Sequence, residues 1–129
     1  MKLTLLPGAD DGVVRLECEG PITQRYFPLE GDPLEIVLGP DCLGQKVLLN
    51  LEQTHSIDTS GVSWLVKRHM AFEKAGGVLV LHGLPPMVRQ ILEMLHISSI
   101  LRVAPDERAA LDLIRDKGEP AELALAGTA

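Results

Sequence analysis

Apolar and polar positions alternate in the N-terminal part of the chain in a way that predicts two strands. From Val14 to Glu19 the alternation has a period of two residues, as in a strand with one buried face. Residues 2–6 predict a shorter strand paired with it, because the turn-rich segment 7–12 separates the two.

Residues 21–45 have the least regular pattern of the chain. Their prolines and glycines leave room only for one short helix, from about Asp32 to Leu38. Asp32 is the predicted N-cap of this helix and Pro33 its first residue, since proline fits the first helical turn.

From residue 46 onward, buried strands alternate with amphipathic helices. The predicted strands are 47–51, 78–81 and 100–103, and the predicted helices are 60–75, 85–95 and 105–118. Such alternation predicts an α/β fold with a mixed sheet of four to five strands and about four helices packed on it. We expect a single domain over residues 1–118, followed by a flexible or frayed tail over 119–129.

Composition narrows the class of protein without giving its function. The chain has 129 residues, 46% hydrophobic residues and a net charge of −6, with no basic stripe for nucleic acid or anionic lipid. No apolar run approaches the roughly 18 residues needed to cross a bilayer. Cys18 and Cys42 lack a CxxC partner, and we expect two buried free thiols in the reducing cytoplasm.

The segment from Ile57 to Val62 carries the candidate chemistry. It follows a buried strand and opens a helix, which places Ser60 near unpaired backbone N–H groups that accommodate a phosphate. Phosphorylation there would add about −1.5 to −2 charges. Asp, Thr and Ser are also the common helix N-caps, and capping alone explains Asp58–Ser60 when that segment is considered by itself.

Helical spacing places Ser60, Trp64, Lys67 and Arg68 along one side of this helix. Trp64 is either an interface anchor with Lys67 or Arg68 as a rim charge, or a core residue, and the pattern favours neither. The spacing of Met87 and Met94 in the next helix suggests core packing.

The spacing of other reactive residues argues against an enzyme or a metal site. The four histidines fall on different elements without ligand spacing, so we expect no metal and no other cofactor. Ser60 is not in GxSxG, and the phosphate-binding patterns GxGxxG and GxxxxGK[ST] do not occur.

Residues 46–111 resemble the STAS superfamily, the anti-sigma factor antagonists and their relatives. The resemblance is carried by the strand 47–51, the segment 57–62 (similar to the D-[ST]-S-G-[LV] signature), the turn 81–88 and the closing strand and helix 101–111. It implies that an anti-sigma kinase phosphorylates Ser60 and that Asp58 orients the hydroxyl or the partner's nucleotide site. Thr59 is the secondary candidate for modification. Residues 21–45 depart from the family's usual first-helix segment.

The resemblance implies a protein-binding switch rather than a catalyst. Unphosphorylated, the protein would sequester the kinase and release a sigma factor, and a phosphatase would reset it. The expected partner-binding residues are Asp58, Gly61, Ser63, Trp64, Lys67 and Arg68. We expect a monomer or weak dimer. Two alternatives stay open: a scaffold domain of a stressosome-like assembly, and a sensor of small anions or nucleotides.

Overall fold

The computed structural model describes residues 1–8, 11–29 and 31–118, so the predicted tail over 119–129 lies outside this part of the chain. The strands are β1 (Lys2–Leu6), β2 (Val13–Glu19), β3 (Lys46–Gln53), β4 (Val78–His82) and β5 (Arg102–Ala104). The helices are α1 (Pro33–Leu38), α2 (Thr59–Lys74), α3 (Pro86–Met94) and α4 (Glu107–Gly118), with 3-10 turns at Gln24–Tyr26 and Cys42–Gly44. The predicted fold class is confirmed.

The five strands form one mixed sheet in the order β1-β2-β3-β4-β5. β1 pairs antiparallel with β2, and each later neighbouring pair is parallel. Because β2 and β3 are parallel neighbours, their carboxyl ends lie at the same edge of the sheet. The segments that follow Glu19 and Gln53 therefore leave the sheet side by side.

Alternating side chains of the strands build two apolar layers, one on each face of the sheet. On one face, Leu49 and Leu81 belong to the larger cluster, together with Leu65 and Phe72 of α2 and Leu92 of α3. The opposite face carries a smaller cluster that α4 covers, formed by Val13, Leu48, Val78, Val80, Ala104, Ala110 and Ile114. The larger cluster fixes the position of α2, whose N-terminus carries Ser60.

The predicted cap of the short helix α1 is confirmed. The side chain of Asp32 accepts a hydrogen bond from the backbone N–H of Leu34 at 2.9 Å, and Pro33 is the first helical residue. Gly39 ends this helix with a positive φ of 92°, a conformation that glycine adopts without a steric penalty.

Two further sequence predictions have opposite outcomes. Cys18 and Cys42 are buried free thiols, as expected, and burial raises the pKa of each. The prediction that Met87 and Met94 pack in the core is wrong, because their side chains are 60% and 69% exposed. The buried residues of α3 are Val88 and Leu92, and a helix of nine residues buries only the side that faces the sheet.

Candidate functional site

The N-terminus of α2 begins with a capping aspartate. Asp58 has an extended backbone, with φ −108° and ψ −177°, and its Oδ1 accepts a hydrogen bond from the N–H of Gly61 at 2.9 Å. This bond satisfies one of the backbone donors that every helix leaves unpaired in its first turn. The capping role that the sequence suggests for this segment therefore belongs to Asp58.

The hydroxyl of Ser60 is held by two hydrogen bonds. Its Oγ donates to Asp58 Oδ1 at 2.6 Å and accepts from the backbone N–H of Gln24 at 2.9 Å. A serine hydroxyl has a single proton to donate, so this proton points at the Asp58 carboxylate. Ser60 is half-buried, and both its orientation and its environment are defined by neighbouring residues.

Thr23 completes the set of hydroxyl groups around this carboxylate. Its Oγ1 donates to Asp58 Oδ2 at 2.5 Å and lies 3.5 Å from Ser60 Oγ. The bonds from Ser60, Thr23 and the Gly61 N–H, in that order of importance, lower the pKa of Asp58 from 3.8 to about 2. Each of these donors stabilises the ionised form of Asp58, so this side chain is a carboxylate at physiological pH.

The backbone contacts of Ile22 hold Thr23 and Gln24 in place. Ile22 forms a parallel bridge with Ile57, in which its N–H donates to the carbonyl of Ser56 at 3.2 Å. A Cβ on Gly61 would overlap the carbonyl oxygen of Ile22, so glycine is the residue that allows this approach. The segment after β2 is thereby docked on the first turn of α2.

A cleft of about 200 Å³, which combines polar groups with the rings of Phe27 and Trp64, opens on one side of Ser60. It is lined by Gln24, Phe27, Ser60, Ser63, Trp64 and Lys67. The sequence predicts three of these, Ser60, Trp64 and Lys67, on one side of α2, and the structure brings them together in the cleft. Lys67 is the cationic side chain among them, and we use the name polar cleft for these six residues below.

Trp64 is largely buried but keeps one edge at the polar cleft. It is 9% exposed, and its ring centroid lies 5.1 Å from that of Phe27. Its Nε1–H donates to Asp32 Oδ1 at 2.6 Å, and the Nε of Arg68 lies 3.6 Å from the same oxygen. Arg68 therefore faces the N-cap of α1 and does not line the polar cleft with Lys67.

An apolar groove of about 360 Å³ lies on the other side of Asp58. It is lined by Ile57, Asp58, Thr59, Ile91, Met94 and Leu95, and these six residues are called the apolar groove below. Met94 and Leu95 are 69% and 45% exposed. Exposed apolar side chains that line a contiguous groove are typical of surfaces that bind other macromolecules.

Sequence reasoning missed Thr23 and Gln24 as part of this site. They lie more than 30 residues before Ser60, in a segment without periodicity, and only the docking of Ile22 brings them to α2. The dipeptide at Gly20-Pro21, which ends β2, indicates a turn but gives no signal for what the turn contacts.

Within the described part of the chain, no three His, Cys, Asp or Glu side chains are grouped in a way that could hold a metal ion. No helix in residues 1–8, 11–29 and 31–118 is long and apolar enough to cross a membrane.

Comparison with known families gives one match to a family model. Residues 10–110 match the model of the STAS domain. This range includes β2 to β5 and the whole site around Ser60. It also includes residues 21–45, which looked atypical in the sequence.

Solved structures with the same fold are found at low sequence identity. An anti-sigma factor antagonist from Mycobacterium paratuberculosis is 20% identical with a TM-score of 0.69, over 89% of this chain and 96% of that one. A sulfate transporter family protein from Wolinella succinogenes is 24% identical with a TM-score of 0.68, over 88% and 93%. The Bacillus cell fate determinant SpoIIAA in its phosphorylated form is 18% identical with a TM-score of 0.55, over 88% and 99%.

Proposed function

The chain belongs to the STAS domain family, and from this premise we propose that it is a phosphorylation-regulated protein-binding module of the anti-sigma factor antagonist kind. In this proposal it acts in the cytoplasm and binds an anti-sigma factor that is also a serine kinase. The kinase phosphorylates Ser60, the complex dissociates, and a phosphatase restores the binding form. Structures of similar fold include anti-sigma factor antagonists, which supports this general kind of function.

The observation that carries the proposal is the state of the Ser60 hydroxyl. Its proton is directed at Asp58 over 2.6 Å, while its oxygen lies at the start of α2 and lines the polar cleft. A hydroxyl that only capped its own helix would accept from a backbone N–H of that helix. Here Asp58 caps α2, and the Ser60 oxygen accepts from Gln24 in a different segment and not from its own helix.

A phosphate on Ser60 would change the charge of this surface at its centre. The phosphate replaces the hydroxyl proton that is hydrogen-bonded to Asp58. It also places about two negative charges beside the Asp58 carboxylate, which is already ionised. Lys67 and the positive end of the α2 dipole would balance part of this charge. A partner packed over the site would then face a desolvated dianion, so its affinity would fall.

The apolar groove is the contact surface proposed for the kinase. It begins at Asp58 and Thr59, so a partner seated on it comes within reach of the Ser60 hydroxyl. Its exposed Met94 and Leu95 supply apolar area, and methionine adapts to the shape of a binding surface. Ser63, Trp64 and Lys67 stay predicted binding residues at the polar cleft. Gly61 and Arg68 also stay predictions, although Gly61 is buried under Ile22 and Arg68 faces Asp32.

Intact-mass spectrometry with site mapping tests the modification. The wild type is incubated with ATP and with each purified anti-sigma kinase of the host, beside Ser60→Ala and the matched control Thr59→Ala. We expect one added phosphate on Ser60 in the wild type and in Thr59→Ala, and none in Ser60→Ala. A phosphate that maps to Thr59 would move the switch by one residue, and no phosphate with any kinase would refute the proposal.

A further inference from the structure

Thr23 occupies a capping position but does not use it. It precedes the 3-10 turn Gln24–Tyr26 with an extended backbone, φ −149° and ψ 144°, as N-cap residues have. A threonine here is expected to accept a hydrogen bond from its own turn. Among the described residues its side chain makes no such bond and donates to Asp58 instead.

Ser60 supplies the cap that Thr23 does not. The backbone N–H of Gln24 donates to Ser60 Oγ at 2.9 Å, so the helix serine satisfies the first donor of the turn. The Ser60 hydroxyl of α2 thus caps the 3-10 turn, and the Thr23 hydroxyl that precedes this turn bonds to Asp58, the cap of α2. This crossed arrangement requires one χ1 rotamer of Thr23 and one of Ser60, because each bond is made by a side-chain hydroxyl.

The orientation of the Asp58 carboxylate depends on both of its oxygens. Rotation about the terminal bond of an aspartate is only weakly restricted, so hydrogen bonds set the plane of the carboxylate. Oδ1 accepts from Ser60 and from the Gly61 N–H, and Oδ2 accepts from Thr23. The Thr23 bond is the one that holds the second oxygen.

We propose that Thr23 is a positioning residue for the phosphorylation of Ser60, and that it acts by fixing Asp58 so that Oδ1 directs the Ser60 hydroxyl. This inference rests on the proposed function. Thr23 touches neither the transferred phosphate nor the nucleotide in this scheme. Its contribution is to hold one reactant, the hydroxyl, in a single orientation before the kinase binds.

In the reaction, Ser60 Oγ forms a bond to the γ-phosphorus of ATP. The bond from that phosphorus to the β,γ-bridging oxygen breaks, and ADP leaves. The hydroxyl proton passes to a base of the kinase. The role assigned to Asp58 is to orient the hydroxyl, through the 2.6 Å bond from Ser60 Oγ to its Oδ1.

The segment that carries Thr23 is anchored without the Thr23 side chain, so the positioning role can be tested separately from a structural one. Ile22 holds the segment to Ile57 and Ser56 through its own backbone, and none of these contacts uses the Thr23 hydroxyl. Thr23→Val keeps the branched shape and removes the donor. Thr23→Ser keeps the donor and removes the methyl group.

The test measures steady-state phosphorylation of the full chain by the kinase that modifies the wild type. Thr23→Val should lower kcat/KM about tenfold, mainly in kcat, because one hydrogen bond to a charged group is lost and water replaces it in part. Thr23→Ser should stay within about twofold of the wild type, since the donor is retained. In parallel, an NMR titration should show that the pKa of Asp58 rises in Thr23→Val and not in Thr23→Ser.

Three results would overturn the positioning role. They are a Thr23→Val rate equal to that of the wild type, a Thr23→Ser rate as slow as that of Thr23→Val, and an unchanged pKa of Asp58 in Thr23→Val. A wild type that no kinase phosphorylates would refute the proposed function instead. The NMR titration would then decide by itself whether Thr23 holds the carboxylate.

Discussion

Two surfaces meet at the first turn of α2, and they differ in chemistry. The polar cleft contains the Ser60 hydroxyl and the Lys67 ammonium group. The apolar groove contains Met94 and Leu95, both well exposed. Asp58 belongs to both, because it lines the apolar groove and its carboxylate accepts a hydrogen bond from Ser60, which lines the polar cleft.

Under the proposed function, partner binding would use the apolar groove and regulation would use the polar cleft. Apolar area gives a partner affinity, whereas a charged group beside it gives control over that affinity. A phosphate on Ser60, in the polar cleft, would lie next to Asp58 and Thr59, which line the apolar groove. We therefore expect the two surfaces to respond to different substitutions.

A charge in the apolar groove should have the largest effect. Met94→Glu places an unpaired carboxylate where the partner packs, so we expect kinase affinity to fall by about 3 kcal/mol, more than a hundredfold. Folding stability should stay within about 0.5 kcal/mol, because the Met94 side chain is 69% exposed. Isothermal titration calorimetry and thermal denaturation measure the two quantities.

Met70→Glu is the matched control for this charge. Met70 is 61% exposed on α2 and lines neither surface, so its replacement should leave affinity unchanged. Equal losses of affinity in Met70→Glu and Met94→Glu would show a general charge effect. They would contradict the assignment of the apolar groove as the contact surface for the kinase.

A methyl group added at Gly61, in the first turn of α2, should destabilise the fold. In Gly61→Ala the new Cβ overlaps the carbonyl oxygen of Ile22, which must move, so we expect a loss of about 3 kcal/mol in the free energy of unfolding. Gly44→Ala is the control, since the nearest atom to its Cβ would be 3.9 Å away. Urea denaturation of both variants decides, and equal stabilities would contradict the close docking of Ile22 on α2.

Loss of the indole hydrogen bond behind the polar cleft should have a smaller effect. Trp64→Phe keeps an aromatic ring near Phe27 but removes the donor to Asp32, so we expect a loss of about 1–2 kcal/mol in the free energy of unfolding. Tyr26→Phe removes a hydroxyl from an exposed ring and should change little. If Trp64→Phe is as stable as the wild type, the bond to Asp32 contributes nothing to anchoring α1.

The smallest effect concerns the pH dependence of stability. The pKa of Asp58 is about 2 in the folded protein against 3.8 for a free side chain. A lowered folded pKa adds stability that is complete above about pH 4 and disappears as the pH falls towards about 2. The stability difference between wild type and Asp58→Asn should therefore shrink across this range.

Asp11 provides the comparison for this titration. Its pKa is also lowered to about 2, by Arg15, and it lies away from both surfaces. Asp11→Asn should show the same pH window and leave the affinity for the kinase unchanged. A stability difference for Asp58→Asn that stays constant between about pH 5 and pH 2 would contradict the hydrogen bonds assigned to its carboxylate.

Most of the fold could be predicted from the sequence, because its signals are local. Alternation over 14–19, the buried run 47–51 and the cap at Asp32 each depend on residues that are neighbours along the chain. The pattern predicts the last strand at 100–103, whereas β5 begins two residues later and spans Arg102–Ala104. Edge strands of three residues carry little pattern of their own.

The site could be predicted only in part, because half of it depends on contacts between distant segments. The sequence identified Asp58 and Ser60 but not Thr23, whose role requires the bridge between Ile22 and Ile57. The same limit applies to the methionine Met94, since helical spacing gives the periodicity of α3 but not which residues the sheet covers. Trp64 is a core residue with one edge at the polar cleft, and its role as an interface anchor stays a prediction.

The central claim is that the phosphorylation state of Ser60 controls partner binding. The most direct test compares the affinity of the kinase for the unphosphorylated protein with its affinity for the protein carrying a single phosphate on Ser60. We expect the phosphate to weaken binding by about a hundredfold, because a bound partner would desolvate a dianion that Lys67 and the helix dipole balance only in part. Equal affinities for the two forms would contradict it.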